Sequence, residues 1–471
     1  MIKVFGRHIS KWKLFLLIGD GCIYFLALII TIFLNPMAVE APLMLLVNNK
    51  LPFLLVGGVY LVGNYILDLY DYQQDYRRWV NIAQILVAVL LSTLANITIF
   101  YFVLGSDVIR LYMFWFVGRV LLLILASLFA VFMVLWRYAF SASALPQRLQ
   151  RRIVIVGAGS SGQRILQALR NRPNSGLVPI GFLDDAPSKL NTKIHGLPVL
   201  DITSRLPEIV SQYQISLVVV AITHEKSPNL VNILTRLSWN GIQVVDMPGF
   251  YEFLSGKVPI DHISDVWIFF HGLNKNKLYI QHFKRLLDLA LSCCLLITTA
   301  PFFLLIALAI RLDSPGPVFF LQDRLGDEGR PFKIIKFRTM IQDAERDGPR
   351  WAMDNDHRIT RVGKLLRRFR LDELPQLVNI IKGEMSFIGP RPEREVFVRD
   401  FNDQIPYYNL RLLVKPGITG WAQVMYPYAS SLEHTREKLQ YDLYYVKNMG
   451  FFLDLAILLK TVRIVMFGRG T

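Results

Sequence analysis

Four apolar segments, at roughly 14–34, 51–70, 82–104 and 111–136, constrain this chain before any other feature does. Each is about long enough to cross a hydrocarbon core of ~30 Å, where a backbone must satisfy its own polar groups, so each is expected to be a transmembrane helix. The third holds no charge, and the others are nearly free of charge until their ends. The first shows no small-residue cleavage site and is followed by three more spans, which argues against a cleaved signal peptide. Lys3, Arg7, Lys11 and Lys13 precede the first segment, Arg77 and Arg78 lie between the second and third, and Arg137, Arg148, Arg151 and Arg152 follow the fourth. The other two loops hold only Lys50 and Arg110. Basic flanks stay inside, so the N-terminus and everything after the fourth span are expected on the cytoplasmic face of an inner membrane.

The chain is 53% hydrophobic, yet carries Lys+Arg 52 against Asp+Glu 36, a net charge of +16. A soluble nucleic-acid binder would be basic without being so apolar, so nucleic acid is excluded as a partner. Anionic lipid and phosphate-bearing substrates fit the charge better. Cys22, Cys293 and Cys294 all lie in apolar runs and read as small hydrophobes.

After the spans, Arg152-IVIVGAGSSGQRIL places Gly157, Gly159 and Gly162 between a β-type run and a helix-like stretch. That order is the dinucleotide fingerprint, with glycines for the turn and for close approach of a pyrophosphate. Asp184 follows near the place of a ribose-binding acid, beside Asp185, and Ser216-LVVVAI supplies a second strand. A Rossmann-like domain over 150–262 is expected, either binding a nucleotide or serving as a scaffold. No tyrosine has a lysine four residues later, so the catalytic pair of short-chain epimerases and dehydratases is missing.

Residues 286–310 form a fifth apolar run, with Asp288 as its one charge and Pro301 inside it. Proline removes a helical hydrogen bond. Lys284 and Arg285 flank one end and Arg311 the other, as expected if both lie on the cytoplasmic side. A re-entrant helix that breaks at Pro301 satisfies both facts, with Thr298 and Thr299 placed to serve freed backbone groups. A kinked full crossing is the alternative. The run from Phe451 is either a sixth span or a helix lying in the membrane plane, and its interruption by Lys460 and Arg463 favours the surface helix.

The remaining third carries the chemistry. A hairpin turning near Gly326–Gly329 should set Lys336 and Arg338 on one face. Asp372 and Glu373 stand just before Pro375, in what reads as the first turn of a helix closed by Gly383. There the helix dipole would favour ionised carboxylates, and Arg367, Arg368, Arg370 and Arg391 lie close in sequence. Alone, such an acid pair is usually a solvated helix start.

Lys336-FRTM, Arg370-LDELPQLVNIIKGEMSFIGPRPE, Lys415-PGITGWAQV and Lys438-LQYDLYYVKN together make 282–471 resemble the polyprenyl-phosphate sugar-phosphate transferases, the initiating phosphoglycosyl transferases of bacterial polysaccharide assembly. With four spans and a Rossmann-like domain ahead of it, the chain resembles their large form. The resemblance implies that Asp372 attacks the sugar-bearing phosphorus of a UDP-sugar, releases UMP, and passes the phospho-sugar to polyprenyl phosphate. It further implies Mg²⁺ at Asp372 and Glu373, phosphate or nucleotide contacts from Arg367 and Arg391, weaker ones from Lys336 and Arg338, and a helix break at Pro301. The family usually has serine before that proline, where this chain has Ala300.

The expected fold class is therefore a membrane protein with helical spans plus α/β parts: four spans over 1–137, the Rossmann-like domain, and a transferase domain over 280–471. A homodimer through the Rossmann-like part is compatible with the sequence. A membrane-tethered Rossmann oxidoreductase or epimerase and a non-catalytic membrane sensor are the competing readings, and nothing in the motifs reports which sugar is carried.

Overall fold

A computed structural model describes residues 2–4, 7–9, 11–34, 50–67, 69–70, 79–103, 112–142, 150–172, 176–222, 226–262, 282–342, 344, 356–426 and 431–466. Arg77, Arg78, Arg110, Arg148 and Tyr428 lie outside them. The chain forms two compact units, residues 1–221 with 226–244, and 222–225 with 245–471.

The first unit opens with a short hairpin, β1 (Ile2–Val4) and β2 (Arg7–Ile9). Four apolar helices follow where the sequence placed them: α1 (Lys11–Phe33), α2 (Lys50–Ile66), α3 (Trp79–Val103) and α4 (Tyr112–Ala142). Of these four, α1, α3 and α4 are long and apolar enough to cross a membrane, and α2 is a shorter apolar helix. Leu67 and Leu69 extend α2 by bonding the carbonyls of Gly63 and Asn64, and both stay buried. Helices in lipid associate through close packing, and small residues permit it. A Cβ on Gly57 would fall 2.6 Å from the Tyr24 ring, and one on Gly63 2.0 Å from the Ser92 hydroxyl. Tyr24, Tyr60 and Phe129 fill the interior, while Ile18, Leu90 and Leu135 face outward. This is a membrane protein.

Arg137 corrects the sequence reading. Counted there as a flank beyond the fourth span, it lies inside α4, fully buried, with its guanidinium 2.8 Å from Asp20 of α1. Asn64 of α2 donates to the same carboxylate at 3.2 Å. A paired arginine can sit at a helix–helix contact within the membrane, so α4 runs on past the apolar stretch that composition marks out.

The Rossmann-like part runs β3 (Arg151–Val156), α5 (Ser160–Arg170), β4 (Leu177–Leu183), β5 (Lys193–Ile194), β6 (Leu197–Asp201), α6 (Leu206–Gln212), β7 (Leu217–Val220), α7 (Pro228–Trp239) and β8 (Gln243–Asp246). Its six strands lie in the order β5-β6-β4-β3-β7-β8. β3 pairs in parallel with both β4 and β7, and β5 alone among the paired strands runs antiparallel, against β6. Ile153–Val156 and Leu217–Val220 are buried throughout, as central parallel strands covered on both faces must be.

The second unit begins earlier than the sequence suggested. α8 (Met247–Ser255) was assigned to the Rossmann-like domain through 262, but Val245 onward clusters with the transferase residues. The reason is packing: Val258 and Ile260 are buried among Leu325, Phe401, Tyr408 and Leu439. Then come α9 (Lys284–Asp313), β9 (Phe319–Leu325), β10 (Pro331–Phe337), α10 (Arg361–Arg368), α11 (Gln376–Lys382), β11 (Ser386–Ile388), α12 (Glu395–Gln404), β12 (Gly417–Thr419), α13 (Trp421–Met425), α14 (Leu432–Asn448) and α15 (Phe451–Met466). β9 and β10 form the expected hairpin, turning through Glu328 and Gly329 at positive φ.

α9 runs as one 30-residue helix with Pro301 inside it, long and apolar enough to cross a membrane. The expected break at Pro301 is thus corrected: the proline forfeits one helical bond, and the turns on either side carry the helix through it. At its start Lys284 reaches Asp454 at 2.7 Å, Arg285 reaches the carbonyls of Ile380 and Ile381, and Asp288 accepts the Phe387 amide at 2.9 Å. At its end Ile310 packs on Phe337 and Leu366, and Asp313 accepts the Val362 amide at 2.9 Å. Both ends are therefore tied to one unit. Ile297, Leu304, Leu305, Leu308 and Leu312 are exposed along the other face. The Thr298 and Thr299 hydroxyls bond the carbonyls of Cys294 and Leu295. Those lie before Ile297, whose carbonyl is the one Pro301 cannot serve, so the threonines do not take the place assigned to them. α15 packs Leu453 and Ile457 inward and turns Phe452 and Leu455 outward, the pattern of a surface helix.

Candidate active site

Lys336 reaches the acidic pair because β10 is fastened to α11 by one buried side chain. Asn379 accepts the Ile335 amide at 3.1 Å and donates to the Lys333 carbonyl at 2.8 Å, with Glu384 taking a further bond at 2.7 Å. Glycines bring the other motifs together. A Cβ on Gly363 would fall 2.1 Å from the Thr339 carbonyl, so only glycine lets α10 lie there. Likewise a Cβ on Gly389 would fall 2.2 Å from the Lys415 carbonyl, which sets the Gly-Pro-Arg-Pro segment beside Lys415-PGITG.

Asp372 and Glu373 lie in a 3₁₀ turn, Leu371–Glu373, entered through Arg370 at φ +53°. The first-turn reading is thus corrected. Pro375, which has no amide hydrogen to give, stands at the N-cap, and α11 begins only at Gln376. Gly383 closes the helix at φ +90°, as expected.

The two acids have different surroundings. Glu373 lies 2.9 Å from Arg391, 3.3 Å from Lys336 and 3.7 Å from Arg370. Burial opposes its ionisation, but Arg391, Lys336 and Arg370 outweigh it and hold the carboxyl well below the usual range. Asp372, nearly buried, makes no hydrogen bond or ion pair among the described residues. Burial and the Glu373 charge raise its carboxyl, against the pull of Lys336, Arg367 and Arg391. The expectation that a helix dipole keeps Asp372 ionised is corrected: no helix starts at this residue, and burial prevails.

Arg391 joins the site through its side chain, while its carbonyl accepts from Arg411 at 2.9 Å. Arg411 in turn pairs with Asp442 at 2.9 Å. Arg367 is held by the Thr339 hydroxyl at 2.9 Å, and its charge acts on Asp372. Arg338 is not brought in. Its guanidinium donates to the carbonyls of Ser314 and Pro315 at 2.7 and 2.8 Å, fastening the turn after α9. β10 ends at Phe337, so the alternation expected to carry Arg338 onto the Lys336 face stops one residue short.

Arg324, Lys336, Glu373, Gln376 and Arg391 line an open recess. Sequence reasoning passed over Arg324 and Gln376, and named Arg370 only as a neighbour of the acid pair. A charge inside the apolar strand FFLQDRL was the available signal for Arg324. Among the described residues, no group of three or more His, Cys, Asp or Glu could hold a metal. Magnesium usually takes one or two carboxylates and completes its shell with substrate phosphate and water. The uncommitted carboxylate of Asp372 fits that requirement, whereas that of Glu373 is committed to three cations.

In the first unit, the fingerprint glycines do what the turn requires. Gly157 sits at φ +103°, Gly159 caps α5, and a Cβ on Gly162 would strike the Gly157 carbonyl. Asp184 is occupied at home, accepting the amides of Ala158 at 2.8 Å and Ala186 at 3.0 Å and pairing with Lys189 at 3.0 Å. An amide of the glycine-rich loop thus already has an anion.

Comparison with known proteins adds independent findings. Residues 279–468 match the family described as bacterial sugar transferase, and residues 65–248 match a CoA-binding domain family. The chain is 43% identical over 237 residues to the UDP-N-acetylgalactosamine-undecaprenyl-phosphate N-acetylgalactosaminephosphotransferase of Aeromonas hydrophila, covering 50% of this chain and 55% of the relative. It is 33% identical over 324 residues to a UDP-glucose:undecaprenyl-phosphate glucose-1-phosphate transferase of Xanthomonas campestris pv. campestris, covering 66% of each. An Escherichia coli (strain K12) protein of the same description is 31% identical over 325 residues, 66% of this chain and 67% of the relative. The chain thus spans between about half and two thirds of the length of these relatives.

Proposed function

Because the chain belongs to the bacterial sugar transferase family, the polyprenyl-phosphate sugar-phosphate transferases, we propose that it moves a sugar-1-phosphate from a UDP-sugar onto polyprenyl phosphate with Asp372 as nucleophile. The observation that carries this reading is the division within the acid pair. Glu373 is neutralised by three cations, while Asp372 is left uncommitted among Lys336, Arg367 and Arg391.

An Asp372 carboxylate oxygen attacks the phosphorus that bears the sugar. The bond from that phosphorus to the bridging oxygen breaks, and UMP leaves with the electron pair. An acyl phosphate carrying the sugar remains on the enzyme. An oxygen of polyprenyl phosphate then attacks the same phosphorus, the acyl–phosphate bond breaks, and the carboxylate is restored as the polyprenyl-diphospho-sugar departs. Arg391, Lys336 and Arg367 offset the negative charge of the approaching diphosphate and of the transition state. Magnesium, held by Asp372 with donor phosphate oxygens, would add to that neutralisation.

The acceptor is a lipid and the donor is soluble, so the acids must work at the membrane surface. The apolar outer faces of α9 and α15 support seating the second unit there, on the cytoplasmic side of the inner membrane. The contacts of both ends of α9 with one unit support a re-entrant course, with a continuous helix that bends at Pro301. A panel of nucleotide-sugars with polyprenyl phosphate, scored by UMP release, tests the activity and identifies the sugar. Release from no donor would overturn the reading.

A further inference from the structure

We propose that residues 247–260, which precede the transferase family match that begins at 279, form a positioning strap that holds Arg391 against Glu373. This rests on the transferase reading of the site.

The strap lies along α14 and grips it at successive levels. Glu252 accepts from Lys447 at 2.6 Å and from Asn448 at 2.7 Å, at the helix's C-terminal end. The Gly256 carbonyl accepts the indole N–H of Trp421 at 2.8 Å, and that ring stacks on Tyr444 of α14. Gly256 sits at φ +69°, with the indole 3.2 Å from where a Cβ would be, so a side chain there would be both strained and crowded. Lys257 pairs with Glu437 and lies 5.2 Å over the Tyr441 ring. The Val258 amide bonds the Gln440 carbonyl at 3.0 Å. Val258 and Ile260 then enter the core beside Leu439 and Leu443.

α14 is the helix whose Asp442 pairs with Arg411, and Arg411 donates to the Arg391 carbonyl. Asp442 and Arg411 are both buried, and Tyr408 braces the guanidinium at 2.8 Å. A shift of α14 therefore moves Asp442, Arg411 and the backbone of Arg391 together. Arg391 is the nearest of the three cations on Glu373, so its displacement weakens the neutralisation that leaves Asp372 free to act. β8 ends at Asp246 and α8 starts at Met247, so the strap is continuous in chain with the last strand of the Rossmann-like sheet.

The test uses the full chain in detergent with Glu252→Lys, Lys447→Glu and the charge-swapped double variant. Misplacing a catalytic group costs turnover more than ground-state binding, so Glu252→Lys is expected to lower kcat for UMP release about tenfold and to leave donor KM within about twofold. The double variant should recover most of the loss, and kcat is taken per folded molecule, since an unfolded single variant would lower the folded fraction and leave kcat as it was. Hydrogen exchange is read alongside. Glu252→Lys should speed exchange not only over 432–448 but also over 408–411 and 388–393. Faster exchange confined to the strap and α14, or an unchanged kcat, would overturn the proposal. If the wild type releases UMP from no donor, the transferase reading falls, and the exchange pattern still decides whether the strap reaches Arg391.

Discussion

At the scale of single residues, the acid pair divides its labour by partnership, not by chemistry. Asp372 and Glu373 have nearly the same functional group, but Glu373 is ion-paired with Arg391, Lys336 and Arg370, while Asp372 feels neighbouring cations without pairing with one. Asp372→Asn keeps the shape and removes the nucleophile, so UMP release should fall by about 10³-fold or more with folding unchanged. Mass spectrometry of the wild type with donor alone should find a phospho-sugar on Asp372, and an adduct elsewhere would reject the assignment. Glu373→Gln acts differently. The Glu373 charge is one of the causes raising the Asp372 carboxyl, so its removal lets Asp372 ionise at lower pH. The acid limb of single-turnover UMP release should then move to lower pH. Lys336→Met removes a charge that lowers Asp372 and should move the limb the other way. Glu373→Gln also leaves Arg391, Lys336 and Arg370 without their counter-charge, a loss of roughly 3–5 kcal/mol for a broken buried pair, visible as a lower Tm. The motifs made Asp372, Glu373, Lys336, Arg367 and Arg391 legible in the sequence. Arg338 misled because a two-residue period holds only within a strand, and β10 ends at Phe337.

At the scale of elements, periodicity and length did most of the work, and the failures share a cause. The spans, the hairpin turn and the Gly383 stop are local features and stand where local rules put them. Arg137 escaped because its partner, Asp20, is remote in sequence, and no window of residues contains both. The helix at Asp372 was set too early because Pro375 fits either side of a helix start. α9 offers the clearest element-level test. Pro301→Leu restores the missing hydrogen bond, worth ~3 kcal/mol in a helix interior. The contacts of Lys284, Asp288 and Asp313 still hold both ends to one unit. A fraction of molecules should therefore adopt a spanning form, with the rest retained. With Arg330→Cys as an exposed tag, labelling from outside the cell should rise with Pro301→Leu and activity should fall in step. Outside labelling in the Pro301 parent would reject the re-entrant course.

At the scale of the whole molecule, the second compact unit begins at Val245, ahead of residue 262, where motif reading ended the Rossmann-like domain. Motif reading ends a domain where its recognisable signals end, and the strands of the Rossmann-like sheet stop at Asp246. The following residues carry no motif of their own, so 247–262 went with the domain before them. Their side chains answer otherwise: Glu252, Lys257, Val258 and Ile260 are all engaged by α14 or its core. This separates two shortened chains that sequence alone would treat as equivalent. One beginning at Val245 keeps all of the second compact unit except 222–225, and should retain UMP release in detergent at a rate close to that of the full chain. One beginning near residue 275 keeps every motif of the transferase family but exposes the Val258 and Ile260 seat and leaves Lys447 without Glu252. Burying two such apolar side chains contributes about 1.5–3 kcal/mol each, a large part of the margin by which a domain is stable. The shorter chain should therefore melt at a lower temperature and turn over much more slowly. Equal rates and equal Tm for the two would return the boundary to residue 262. Loss of activity in the well-folded longer chain would instead make the Rossmann-like domain part of the working machinery.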